Sequence, residues 1–142
     1  MTPPMGNEAG SVSTEMGVVM VAFFAGFLML VVFAGRVAQA ENDVRSAAHA
    51  AARAASLTGS SGRAEAEARR AVDANLITSG MSCRNGVDVT VDLDEFHPGG
   101  WVTVTVACSA SFADVSSLAV PGEKTFTATA TEVMDAFRAD NQ

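Results

Sequence analysis

The sequence predicts an α+β fold: a long N-terminal transmembrane helix continuing as a stalk, a second helix, and a small antiparallel β-sheet of about three strands. Three observations predict it. The run Met16 to Gly35, MGVVMVAFFAGFLMLVVFAG, contains neither a charge nor a proline. The stretch that follows, RVAQAENDVRSAAHAAARAASL, consists of strong helix formers with no Gly or Pro before Gly59. From Val87 onward the apolar period falls from that of a helix to two, the period of a half-exposed strand.

At about 1.5 Å of rise per residue, the run from Met16 to Gly35 is roughly 30 Å long as a helix, the thickness of the hydrocarbon layer of a bilayer. A soluble core helix of this length would carry a polar stripe, whereas this run is apolar on every face. In the extension, Val37, Ala40, Val44, Ala47, Ala48, Ala51 and Ala55 recur at the three-four spacing of one packing face. Small residues also repeat four apart at Ala22/Gly26, Ala34/Ala38 and Ala47/Ala51/Ala55, a spacing that lets helix backbones approach closely. Such a face suits other helices of an assembly. After Val44 it suits the chain's own C-terminal domain equally well.

Thr58 to Gly62 is a turn-rich break, after which RAEAEARRAVDANLI resumes the helical pattern. Ser61 or Gly62 is the expected cap of a second helix running to about Ile77. Glu65 and Glu67 should favour its dipole, and Ala64, Ala68, Ala71, Val72 and Leu76 should form its apolar stripe. Val87, Val89, Val91 and Leu93 then alternate with Asp88, Thr90, Asp92 and Asp94 as a first strand. Pro98-Gly99-Gly100 turns the chain into a second, with Val102, Val104, Val106, Cys108, Ala110 and Phe112 on one face and Thr103, Thr105, Ser109 and Ser111 on the other. After Pro121-Gly122, the run Thr125 to Thr131 predicts a third antiparallel strand. These elements form an α+β head on the helix.

Composition narrows the function. The chain of 142 residues has a net charge of −7, which lacks the basic footprint of a nucleic-acid binder. Its two cysteines, Cys83 and Cys108, fall after the apolar run, without the CxxC spacing of a metal site. In an oxidising compartment they would form one disulfide, tying the end of the second helix to the sheet at about 2 to 4 kcal/mol. Asp88, Asp92, Asp94 and Glu95 lie close in sequence, but alternation alone puts such charges on a wet face, and no calcium-loop spacing accompanies them. His97 at the hairpin tip and the pair His49 and Arg53 read as solvated surface, as do Arg36 and Arg45, although Arg36 at the end of the span also suits an anchor to headgroups. No GxSxG, HExxH, P-loop or paired-carboxylate pattern is present, so the sequence predicts neither an enzyme nor a cofactor, metal or small-molecule substrate.

The ends of the apolar run carry the remaining information. Gly10 precedes Ser11, and Glu15 stands at the edge of the run, fifth when Ser11 is counted as first. A carboxylate costs on the order of 2.5 to 3.5 kcal/mol at a bilayer centre by insertion scales and therefore needs a partner. Cleavage after Gly10 would supply one as a new ammonium on Ser11. Without cleavage, Glu15 would sit in the headgroup layer near the positive end of the helix dipole.

A short polar leader ending in Gly, then a small residue, then Glu15, resembles the pattern of type IV prepilins and pseudopilins. With AAHAAARAAS, VTVTVACSASF and the Thr-rich third strand, the stretch from Gly10 to about Arg138 resembles the TadE family of pseudopilins or minor pilins of the tight-adherence (Flp) pilus. The resemblance implies processing by a prepilin peptidase between Gly10 and Ser11, and storage in the bacterial cytoplasmic membrane as a single-pass protein with its C-terminal domain outside. It implies partnership with other pilin subunits, and a part in starting, capping or supporting a pilus, with Glu15 meeting the N-terminal amine of a neighbour. The implied divisions are a leader at 1–10, a transmembrane helix and extension at 11–57, and a head at 58–142. The leader MTPPMGNEAG departs from the family habit in carrying no Lys or Arg. The first basic residue is Arg36, so loop charge does not set the orientation. A second reading is secretion or tethering of a small binding domain. Ala38-Gln39-Ala40 before Glu41 has the small-x-small form of a signal peptidase site, against which stand a long apolar run and a missing basic n-region.

Overall fold

A computed structural model describes residues 9–116 and 121–137. Helix α1 spans Ala9–Ser56, α2 Ser61–Ser79 and α3 Phe112–Ser116; strands β1, β2 and β3 span Val87–Asp92, Trp101–Ser111 and Glu123–Val133. The leader expected at 1–10 lies outside the described residues except for Ala9 and Gly10, which open α1. By compactness the chain divides into two units, Met1–Gly35 and Arg36–Gln142.

In the second unit the three strands form one antiparallel sheet in the order β1-β2-β3, with Val89 opposite Val106 and Val104 opposite Ala130. Alternation puts Val102, Val104, Val106, Cys108 and Ala110 of β2 on one face, and all are buried. The same face receives Val89, Phe126 and Ala130. It packs on the stripe Ala64, Ala68, Val72 and Leu76 of α2 and on Ala40, Val44, Ala47, Ala48, Ala51, Ala52 and Ala55 of α1. The extension of α1 is therefore part of the chain's own core. Alanine contributes little area per residue, but it brings the helix backbone close to its neighbours.

The break between α1 and α2 is closed by local hydrogen bonds. Ser56 Oγ donates to the Arg53 carbonyl at 2.9 Å and Thr58 Oγ1 to the Ala55 carbonyl at 2.8 Å, each joining a backbone bond that the same carbonyl accepts from the Leu57 or Thr58 N–H. The N-cap of α2 is Ser60, one residue before the expected cap, and its side chain makes no capping hydrogen bond. The first turn of α2 holds no acid. Glu65 and Glu67 sit beyond it and pair with Arg69 at 2.9 Å and Arg70 at 2.7 Å instead of serving the dipole. Helix α2 runs past Ile77 to Ser79, where Gly80 at φ 72° takes the left-handed conformation and the Met81 N–H donates back to the Leu76 carbonyl.

The strands differ from expectation at their ends. Strand β1 stops at Asp92, before Leu93, and β3 extends the expected run to Glu123–Val133. Phe112, expected on the inward face of β2, instead opens α3; its N–H donates to the Gly122 carbonyl at 3.0 Å. Gly122 cannot be larger, since a Cβ there would sit 2.8 Å from the Phe112 ring. In the β1–β2 connection the Trp101 N–H donates to the Glu95 carbonyl, and a Cβ on Gly100 would collide with that same oxygen.

Candidate membrane and assembly segment

Within Met1–Gly35, helix α1 shows large apolar side chains on all sides. Val18 and Val21 are 71% exposed, Phe23 66% and Val31 51%, and Phe33 alone among the large ones from Met16 to Gly35 is partly covered. The most apolar window of the helix has a mean hydropathy of 2.7 and none of it is buried. A helix satisfies its backbone groups internally, so the surface left over is what the surroundings must accept. Here that surface is hydrocarbon-like throughout, which fits a lipid environment and a single-pass membrane protein.

Glu15 is exposed at the edge of this segment, while Gly10 and Ser11 lie in the first turn of α1. Ala22, Gly26, Ala34 and Ala38 are exposed. A Cβ on Gly17, Gly26 or Gly35 would meet nothing within 4 Å, so no contact within the chain demands glycine there. Ala47, Ala51 and Ala55 are fully buried against the chain's own elements. The small-residue spacing read along α1 therefore serves two environments: the chain's own core after Val44, and an uncovered surface at Ala22, Gly26 and Ala34. Ala38-Gln39-Ala40 lies inside the helix, with Ala40 in the core.

Cys83 and Cys108 form a disulfide across Cα atoms 5.3 Å apart, joining the segment after α2 to the inward face of β2. By chain entropy, a bridge closing 25 residues contributes about 3 to 4 kcal/mol. The acids near the hairpin do not converge. Asp88 and Asp92 point out from β1, Asp94 and Glu95 lie in the loop, and no group of three potential ligands among the described residues is arranged to hold a metal. Glu95 instead meets His97 Nε2 at 2.9 Å. His49 and Arg53 are both exposed. A cavity of about 320 Å³ is lined by Arg36, Asp43, Ser79, Met81, Ser82 and Asp114 among others.

One feature of the head escaped the sequence reading. The outward face of the sheet carries hydroxyls in cross-strand pairs, Thr103 with Thr131 and Thr105 with Thr129 at 2.9 Å, and Ser109 with Thr125 at 2.7 Å. Trp101 stands 50% exposed at one end of the same face. Its place at the start of a strand of outward-facing Thr and Ser was the only available signal.

Residues 10–53 match the family model described as TadE-like protein. The matched stretch is α1 almost in full, and the strands lie outside it. No curated protein and no solved structure matches the chain.

Proposed function

We propose that this chain, TadE-like over residues 10–53, is a minor pilin of a tight-adherence type pilus. In this reading a prepilin peptidase cuts between Gly10 and Ser11. The apolar segment holds the subunit in the bacterial cytoplasmic membrane, and the head lies on the far side. The subunit then joins other pilins to start, cap or support the filament. The observation that carries it is the uncovered apolar surface of α1 from Met16 to Val32, joined by continuous helix to a stretch packed into a folded head. The disulfide supports an extracytoplasmic head, because such bridges persist in oxidising compartments.

Small residues at Ala22, Gly26 and Ala34 give neighbouring helices a close approach. Glu15 would neutralise the ammonium of Ser11 on an adjacent subunit, and in hydrocarbon surroundings an unpaired carboxylate is expensive enough to make that pairing selective. The test is Glu15→Ala and Glu15→Gln in the native host, with the subunit quantified in membranes and in sheared pili. Both variants should reach the membrane at wild-type level while the pilus-associated fraction, or the number of pili, drops severalfold. Unchanged amounts in both fractions would show that the helix acts only as an anchor.

A further inference from the structure

The outward face of the sheet is explained neither by the core nor by the membrane segment. Most of its rows are polar: Thr103 lies between Asp92 of β1 and Thr131 of β3, and Thr105 between Thr90 and Thr129, while the next row sets Ala107 between Asp88 and Thr127. Each hydroxyl pair uses one O–H as donor. The other O–H and the unused lone pairs remain for a ligand, and the second oxygens of the Asp carboxylates add acceptors. The first outward position of β2 breaks the pattern, because Trp101, the chain's single tryptophan, lies there across from the exposed Val133. Half of its surface is in water. An indole is flat, rigid and apolar on its faces, and it stands at the edge of a field of donors and acceptors.

That combination complements one chemistry, a pyranose ring, whose C–H face stacks on an aromatic plane while its rim hydroxyls seek short polar side chains. We infer that the Trp101 end of the outer face, with Asp92, Thr103 and Thr131, binds a neutral polysaccharide. The charge of −7, with Asp88, Asp92 and Asp94 beside the face, opposes anionic polymers. From Trp101 to Ser111 the face runs on the order of 34 Å, long enough for several sugar rings in an extended chain. The inference does not depend on the pilus reading, since it concerns only the head.

The test uses the full chain in a zwitterionic detergent, because a maltoside headgroup would itself compete. Cellohexaose and the hexamer of N-acetylglucosamine are titrated by calorimetry, with the emission of Trp101 as a direct reporter. At least one sugar should give saturable heat and a shifted indole emission. Trp101→Ala should weaken that binding by about tenfold or more, and Thr131→Val, which keeps side-chain shape and removes the hydroxyl, by about threefold. Circular dichroism should show both variants folded, since both positions are exposed. Saturable binding by neither sugar, or binding undiminished in Trp101→Ala, would overturn the inference. So would a Trp101→Ala variant whose sole change is a smaller oligomer, which would make the face a protein contact.

Discussion

From Met16 to Gly35, helix α1 carries Val, Phe, Leu and Met on every side and none is buried, whereas from Val37 to Ala55 its apolar residues are mostly alanine, set in one stripe, and most are buried. One helix thus holds two relations between apolar character and burial. In the first part the side chains are large because their surroundings reward area at about 25 cal/mol per Å² without requiring shape. In the second they are small because two helices and a sheet must come together, and close approach replaces area. What a helix faces is read from how its apolar residues are distributed around it, more than from how many there are.

The largest effect is expected at the bridge that ties the segment after α2 to the inward face of β2. Removing the disulfide with Cys83→Ser and Cys108→Ser should destabilise the unit Arg36–Gln142 by about 2 to 5 kcal/mol. Its thermal transition should fall sharply while the helicity of the apolar part persists in detergent. Next, Phe24→Arg places a charge in the middle of the apolar part, at a cost of about 2.5 to 3.5 kcal/mol in insertion, and should move the protein into the alkali-extractable fraction. The same substitution leaves the head's melting unchanged if the two parts answer to different surroundings. The sharpest contrast is a matched pair. Ala51→Leu should cost about 1 to 3 kcal/mol, because Ala51 is fully buried and a larger side chain has nowhere to go. Ala22→Leu, on an exposed face of the same helix, should stay within about 0.5 kcal/mol in a urea or thermal titration.

The division along α1 was only half visible in the sequence. Periodicity marked Ala47, Ala51 and Ala55 as a face, but a face does not say what covers it, and other members of the same core, Val72, Val104 and Phe126, come from distant parts of the chain. The strands were legible from alternation wherever one side is buried, which is why β1, β2 and β3 fall close to their expected positions. Alternation failed at Phe112, which keeps the period of two but belongs to a short helix held by the Gly122 carbonyl. Glu65 and Glu67 were misread because the cap stands one residue earlier than expected, leaving both acids past the first turn and within reach of arginines. The hydroxyl pairs could not be read at all. Thr103 meets Thr131 across a separation of 28, and that pairing depends on a register no local pattern states. At the other end of the chain, Gly10, Ser11 and Glu15 were legible as a spacing, and the family match begins at residue 10.

The most direct test of the proposed role is the intact mass and N-terminal residue of the protein isolated from its native membrane. A chain beginning at Ser11 is the predicted result: the leader is removed, and the apolar helix keeps Glu15 near a free amine. A chain beginning at Glu41 would mean that the apolar segment is discarded before the head acts, and an intact N-terminus would leave the helix as an anchor alone; either result would contradict the account.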